Sequence, residues 1–570
     1  MSGLGSRLFR GLGFWGGRVM LSRFEKTSAR AVRANRNTLV KLLEANSGTE
    51  FGRKYRFAEL AADPTGATYR AAVPLSTYDD YIEFVARMEA GEQDVLVADE
   101  LLFFAVSSGT TGAPKLVPTT KKHHGFTFKY MGTVVQGVIN RRLHRQGPSE
   151  RGVDLMTFSG GQQMSSGGVP IGGATAEAVR RMARIVPHLW NSPIEVYTLA
   201  DQPSAWYLHA LYGLSNRRNQ FVEAVFAPHL LEWLRAAEAR WDELVDDIEN
   251  GTLTKNLDID DELRSQVMTL HRADPGRAAE LRAAVAHGFD GFLSRVWPHM
   301  THLMTITTGS FATYVPALQR YAGDLPIYSP SYGATESFIG VGLWPEHPER
   351  YVMATDPSYF EFIPVEHFGE AQPSTVDMEG IEIGRSYELV VTNHAGLYRY
   401  RLGDVVRVVD RFGEAPVIEF LYRRGTLLDL VGEKTSEDHV AFALSGLEGL
   451  VSPDELVDYT TRVDVDASPP RYVVYLELES GTVSNTELNR AADRFDQRLI
   501  DANPTCEGFR RNGLLGRPNL AVVAPGTFER LRTLIASGDL PTSASQLKVP
   551  RRVDDPRQVQ LMSEAVIETV

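Results

Sequence analysis

Apolar residues recur along this chain with two different periods, and the change of period marks its parts. Leu101 to Val106 is a short continuous apolar run, the mark of a buried strand. Between 25 and 60, Leu39, Leu42 and Leu43 fall at helical spacing. Residues 205–300 are largely helical. There Trp241, Leu244, Val245 and Ile248 make an i, i+3, i+4, i+7 stripe that ends on the stop signal Asn250-Gly251. Strand-like runs follow at 303–307, 359–365, 387–392, 405–409 and 417–422, with an acidic, Pro/Gly-containing loop at 366–380. The pattern changes near Arg423-Arg424-Gly425. Beyond it, 472–478 reads as a strand, and Ser484-Asn485-Thr486-Glu487 is a capping box. The box opens a helix with Leu488, Ala492, Phe495 and Leu499 on one face. A strand at 519–524 and a helix carrying Phe528, Leu531 and Ile535 complete a small α+β domain of roughly 140 residues, a usual domain size.

Composition narrows the class. The chain has 570 residues, 43% of them apolar and 23% charged, as in a globular multidomain protein. Lys+Arg 59 against Asp+Glu 72 gives −13, the wrong sign for a nucleic-acid partner. No apolar run approaches the ~20 residues of a membrane span, so no membrane partner is expected. The N-terminus, 1–24, imitates a targeting peptide, but Arg10 and Arg18 leave only a short, glycine-broken apolar run between them; it reads as a packed or frayed helix. A single cysteine, Cys506, rules out an intrachain disulfide and fits a reducing compartment, the cytoplasm.

Four segments carry candidate chemistry. Ser107-Ser108-Gly109-Thr110-Thr111-Gly112-Ala113-Pro114-Lys115 follows the first strand and packs four hydroxyls and two glycines into six residues. Backbone N–H groups in such a turn form a concave anion site and hydroxyls add rotatable donors, which suits a polyphosphate. It is not a Walker A loop, because two residues separate the second glycine from the lysine and no Ser/Thr follows it. Tyr332-Gly333-Ala334-Thr335-Glu336-Ser337 presents Glu336 at a strand end, where a carboxylate beside phosphates suits Mg²⁺. In 398–404, strand alternation puts Arg399 and Arg401 on one face and the tyrosines on the other, and Gly403 breaks the strand so that Asp404 can turn to a ribose diol. Lys548, in Gln546-Leu547-Lys548-Val549-Pro550-Arg551-Arg552, is a mobile point charge. The histidines, His123-His124 included, show no metal spacing.

These elements, in this order, resemble the acyl-adenylate-forming (luciferase-like) superfamily, and more closely its Gretchen Hagen branch, the auxin-responsive acyl acid–amido synthetases. The segments 49–55, 359–364, 396–401 and 546–551 are similar to that branch's signatures. The resemblance implies an α/β adenylate-forming fold: a large N-terminal domain of sheets and helices with a β-barrel-like part at 1–422, a hinge at 423–432 around Arg424, and a small mobile C-terminal domain at 433–570. It implies that Ser107, Ser108, Gly109, Thr110 and Thr111 hold phosphates. Tyr332, Gly333, Ala334, Thr335 and Glu336 would line the adenine and phosphates, Glu336 near Mg²⁺. Tyr359 would lie against the adenine, Asp404 would hold the ribose, Lys548 would stabilise charge during adenylation and Phe226 would touch the acyl acid. The implied reaction uses ATP and Mg²⁺ to activate a small carboxylic acid as acyl-AMP and then joins it to an amine, an amino acid above all, with no obligate protein partner. Departures at Ala334-Thr335 and around 159–166 bear on the acceptor amine. Transfer to coenzyme A or a carrier thiol, and a nucleotide-binding regulatory protein without turnover, are the alternatives.

Overall fold

The computed structural model describes residues 3–107, 115–143, 150–156, 163–424, 435–447, 455–481, 483–536 and 548–570, with Leu428, Leu430 and Glu433 between. Four sheets organise it. The first is a mixed sheet in which Leu101–Val106 pairs antiparallel with Leu116–Thr120 and parallel with Pro170–Gly173. The second is parallel, in the order Val153–Asp154, Phe221–Phe226, His302–Ile306, Ile327–Tyr328. The third, corresponding to the β-barrel-like part, has seven antiparallel strands running from Ser358–Pro364 to Ser331–Gly333, and its two end strands are not paired with each other. The fourth carries Leu456–Asp464, Arg471–Leu478, Asn519–Val523 and Val566–Thr569.

The helices follow the apolar stripes. Trp241–Asn250 buries Trp241, Leu244, Val245 and Ile248. The core beneath it lies between the parallel sheet and the helices, around Leu208, Leu230, Trp233 and Trp297. At Ser484 the capping box is present in full, and Asn485–Ala502 turns Leu488, Ala491, Phe495 and Leu499 inward. That helix and the face of the fourth sheet beneath it share one core; Phe528, Leu531 and Met562 pack on the other face. The N-terminal segment is a helix, Gly3–Ser28, and it is packed. Gly17 and Gly137 meet where it crosses a second helix. A Cβ on Gly137 would stand 2.3 Å from the Gly17 carbonyl oxygen, so the glycines that interrupt the apolar run are what let two backbones touch. Among the described residues, no helix is long and apolar enough to cross a membrane.

The alternation expected for 398–402 does not hold. Arg399 has φ 49, left-handed backbone, and the strand begins only at Tyr400. A buried ion pair with Glu361 at 2.8 Å, plus bonds to the Arg70 and Val73 carbonyls, holds that conformation. Gly403, at φ 82, does not end the strand either: Tyr400–Phe412 runs through it. Its register against the neighbouring strand shifts between Val390↔Arg401 and Glu388↔Val405, a bulge that re-aims the side chain that follows.

Candidate active site

The sheets and the C-terminal segment enclose one large cavity of about 1320 Å³. Ser107, Lys115, Phe226, Tyr332 to Glu336, Asp404, Arg424 and Lys548 all line it, although they lie more than 400 residues apart in the chain. Tertiary structure therefore gathers all four candidate segments onto one space.

The hairpin from the first sheet supplies one wall. Ser107 N–H donates to the Lys115 carbonyl at 2.9 Å, and Lys115 N–H donates to Ser107 Oγ at 3.3 Å. These two bonds close the stem of the hydroxyl-rich loop; Ser108, Gly109, Thr110 and Thr111 lie outside the described residues. Lys115 reaches over the Tyr78 ring at 5.4 Å, a cation at the mouth of that loop.

Strands Ser331–Gly333 and Phe338–Val341 form a hairpin whose turn is tied by Ala334 N–H to the Ser337 carbonyl at 2.8 Å. Glu336, 6% exposed, sits in this turn, with its carbonyl accepting from Asn393 Nδ2 at 2.7 Å. His123 braces the turn from the other side: its Nε2 stands 3.2 Å from the Thr335 carbonyl, which can only accept, so Nε2 carries the proton. Burial pushes His123 down to about 4, so the ring is neutral. Sequence reasoning set this histidine aside; its one signal is its place in the first turn of a helix capped by Thr120, directly after the second strand of the loop's hairpin.

Asp404 is 2% exposed, and each of its oxygens accepts one hydrogen bond. Oδ2 accepts from Tyr332 O–H at 2.7 Å and Oδ1 from Arg423 Nε at 2.6 Å. The Asp404 charge holds the Arg423 guanidinium above its ordinary range despite burial. Arg423 is a further cavity residue that spacing could not reveal, since Arg423 and Asp404 meet only as cross-strand partners.

Lys548 enters from the C-terminal segment. Its Nζ lies 4.3 Å from the Phe226 ring centroid and 5.3 Å from that of Phe311, which are cation–π distances. Loss of hydration, then the Arg423 charge, push its ammonium down to about 8, with Glu437 and Asp404 acting the other way. Three residues on, Arg551 anchors the segment. It donates to Asp458 Oδ1 at 2.5 Å and to the Tyr314 hydroxyl oxygen at 3.2 Å, and Tyr314 in turn donates to Asp458. Arg532 with Glu232 and Arg235 with Glu479, each at 2.9 Å, add ion pairs across the same junction.

One expected residue, Tyr359, does not line the cavity. It is fully buried on the far side of its strand, its hydroxyl accepting from Arg70 Nη1 at 2.6 Å and its ring 6.4 Å from Tyr69. Pro357, two positions back, is the residue of this segment at the cavity wall. Arg424, expected at a hinge, is fastened to the seven-stranded sheet by Glu388 at 2.5 Å and the Phe368 carbonyl at 3.2 Å; residues 425–427 lie outside the described residues.

Comparison with known proteins agrees with this architecture. The chain matches the GH3 family N-terminal domain over residues 20–327, the GH3 family central domain over 351–423 and the GH3 family C-terminal domain over 439–557. It is 30% identical to jasmonoyl–L-amino acid synthetase JAR4 of Nicotiana attenuata over 96% of each chain. The solved structure of GH3.15 acyl acid amido synthetase superposes with a TM-score of 0.84 at 27% identity, covering 97% of both chains. A 2-hydroxyisobutyryl-CoA ligase in its postadenylation state shares the fold at 12% identity, with a TM-score of 0.53 over 94% of this chain and 93% of that one. Fold and sequence together thus define a ligase of the acyl acid amido synthetase type. Within that class, the chain belongs to the GH3 family.

Proposed function

We propose that this protein is an ATP-dependent acyl acid–amido synthetase. A carboxylate oxygen attacks the α-phosphorus of ATP, the bond to pyrophosphate breaks, and an acyl-AMP forms. The nitrogen of an amine, of an amino acid above all, then attacks the acyl carbon. The bond to AMP breaks, the amine loses a proton and an amide is released. JAR4 and GH3.15 bear names of this activity. The observation that carries the reading is Lys548: the far end of the chain delivers a partly desolvated ammonium into the cavity that also holds Ser107, Glu336 and Asp404.

The first step brings two anions together, so positioned positive charge is the main requirement. Lys548, Lys115 and Arg423 supply it, and the stem bonds of Ser107 set where the phosphate loop begins. Asp404, oriented by Tyr332 and Arg423, is the acceptor for a ribose diol. Glu336 is the carboxylate suited to Mg²⁺. Among the described residues no group of three His, Cys, Asp or Glu could hold a metal, and an ion carried in on phosphates needs only one or two carboxylates. Bound there, Mg²⁺ would supply charge to the polyphosphate. Phe226, under Lys548, fits contact with the acid at its reacting end. The mixed anhydride is open to hydrolysis, and the segment 433–570, latched through Arg551, Tyr314 and Asp458, closes the cavity against water. We read 1–422 as the large domain and 423–432 as the hinge. Its buried single cysteine suits work in a reducing cytoplasm.

Lys548→Ala is expected to slow acid-dependent pyrophosphate release by on the order of 10²–10³, as for loss of one charge-stabilising donor. A wild-type rate in this variant would overturn the assignment. Products weighed by mass spectrometry, with amines and thiols offered separately, identify the acceptor.

A further inference from the structure

The lining of the cavity includes a pair of groups that the reaction above does not use. Strands Val153–Asp154 and Phe221–Phe226 are parallel neighbours, and Asp154 pairs with Glu223 across the ladder. Two carboxyl groups therefore stand side by side on one face of the sheet. Both line the cavity. Glu223 Oε1 accepts from Trp190 Nε1, and Asp154 Oδ1 accepts from the Met156 N–H at 3.1 Å. Asp154 Oδ2 is buried and has no hydrogen-bond partner among the described residues. Among the described residues, the groups acting on the pair are the two carboxyls themselves, Trp190, the buried Tyr197 and backbone N–H; no cationic side chain is among them.

The setting makes this arrangement costly to keep empty. Met156, Met182, Leu189, Phe221 and Met304 make the surrounding wall apolar. Burial holds Asp154 well above the usual carboxylate range and pushes Glu223 up to about 7. A buried acid pair with an orphaned oxygen and no counter-charge is destabilising unless an entering group offsets it. Glu223 and Phe226 line the same cavity. Phe226, beneath Lys548, is three residues further along the same strand, past a shift in register, so within about 10 Å at ~3.3 Å per residue.

We infer that Asp154 and Glu223 form a subsite for a protonated amine on the tail of the acyl acid, so that the acids this enzyme activates are amino-bearing carboxylic acids. An ammonium offers three donors and one positive charge: one N–H satisfies Asp154 Oδ2, another reaches Glu223, and the charge replaces the missing counter-ion. A hydroxyl would satisfy the orphaned oxygen without balancing the pair. The inference rests on the synthetase reading for the position of the acid's carboxylate, beside Lys548, and adds the chemistry of its other end.

The test compares 8-aminooctanoate, 8-hydroxyoctanoate and octanoate, three acids of matched length. Binding to the full chain is measured by calorimetry, and adenylation by pyrophosphate release without a separate amine acceptor. The amino acid is expected to bind best. Glu223→Gln, and the double variant Asp154→Asn/Glu223→Gln, are expected to weaken it about 10- to 100-fold, the worth of a charge-assisted contact, while leaving octanoate unchanged. Gln keeps an acceptor for Trp190, and a thermal melt confirms that each variant is folded. No binding of 8-aminooctanoate, equal binding of octanoate, a preference for the hydroxy acid, or an amino preference that survives both substitutions overturns the subsite. So does an amino preference that arises only in amide formation and not in adenylation. Pyrophosphate release from other acids leaves the synthetase reading standing when the subsite fails. Absence of release with every acid sinks that reading, while calorimetry still decides the subsite.

Discussion

In the proposed reaction Lys548 is the residue on which the chemistry turns, and its environment makes it pH-sensitive. Held near 8 by desolvation, it is cationic below that value and neutral above it. Since kcat/KM reports groups of the free enzyme, kcat/KM for pyrophosphate release is expected to be flat below about 8 and to fall above it. Lys548→Arg, whose charge persists, should remove that fall; a profile unaltered by the substitution would show that another group titrates. Glu223 gives a second prediction at this scale, of stability. Burial holds it, with its neighbour Asp154, above the value of an unfolded carboxylate, so the fold binds more protons than the unfolded chain once pH passes the unfolded values. Stability should therefore drop as pH rises above about 4.5, through the range in which the pair ionises. Glu223→Gln is expected to raise Tm at pH 8 but not at pH 4; equal Tm changes at both pH values would refute the assignment. The candidate residues themselves were legible in the chain: Ser107, Glu336, Asp404 and Lys548 are conspicuous by type and local motif. Tyr359 was not, because a strand residue faces one side or the other, and its side is set by the Arg70 and Arg399 layer it packs into, which arrives from elsewhere in the sequence.

At the level of elements, alternation located the strands to within a residue or two at 303–307, 359–365 and 387–392, since each has a buried face that pays for order. It failed at Arg399, where a buried ion pair imposes a left-handed backbone, and at Gly403, where a bulge continues the strand. Both exceptions lie within five residues of Asp404, and the bulge is what aims that carboxylate. The latch between 309–314 and Leu456–Asp464 was likewise invisible, because Tyr314, Asp458 and Arg551 belong to three distant segments. Tyr314→Phe removes a hydroxyl that donates to Asp458 and accepts from Arg551. By the cost of leaving buried polar partners unmet, it is expected to slow pyrophosphate release roughly 5- to 50-fold. Steady-state rates at saturating ATP and acid measure this, and an unchanged rate would mean that the latch has no part in closure.

Over the whole molecule, the separate cores support the proposed division into a fixed platform and a closing piece. The apolar clusters of the large part and those on both faces of the fourth sheet are distinct, and the junction between them is made of ion pairs and hydrogen bonds. A chain ending at Arg424 is accordingly expected to fold, shown by a cooperative thermal melt, and to lose pyrophosphate release because Lys548 is gone. Failure to fold would show that the cores depend on each other. By itself the sequence determined the class of fold and the change of pattern after Arg424, and it marked the side chains proposed for phosphate, ribose and charge, because periodicity and local motif are properties of neighbours in the chain. Only the tertiary structure decided that these groups share one cavity, that Asp404 answers to Arg423 and Tyr332, and that Asp154 and Glu223 stand side by side in its wall. Those are contacts between residues far apart in sequence, whose energies arise when burial removes water from between them and have no counterpart in the extended chain.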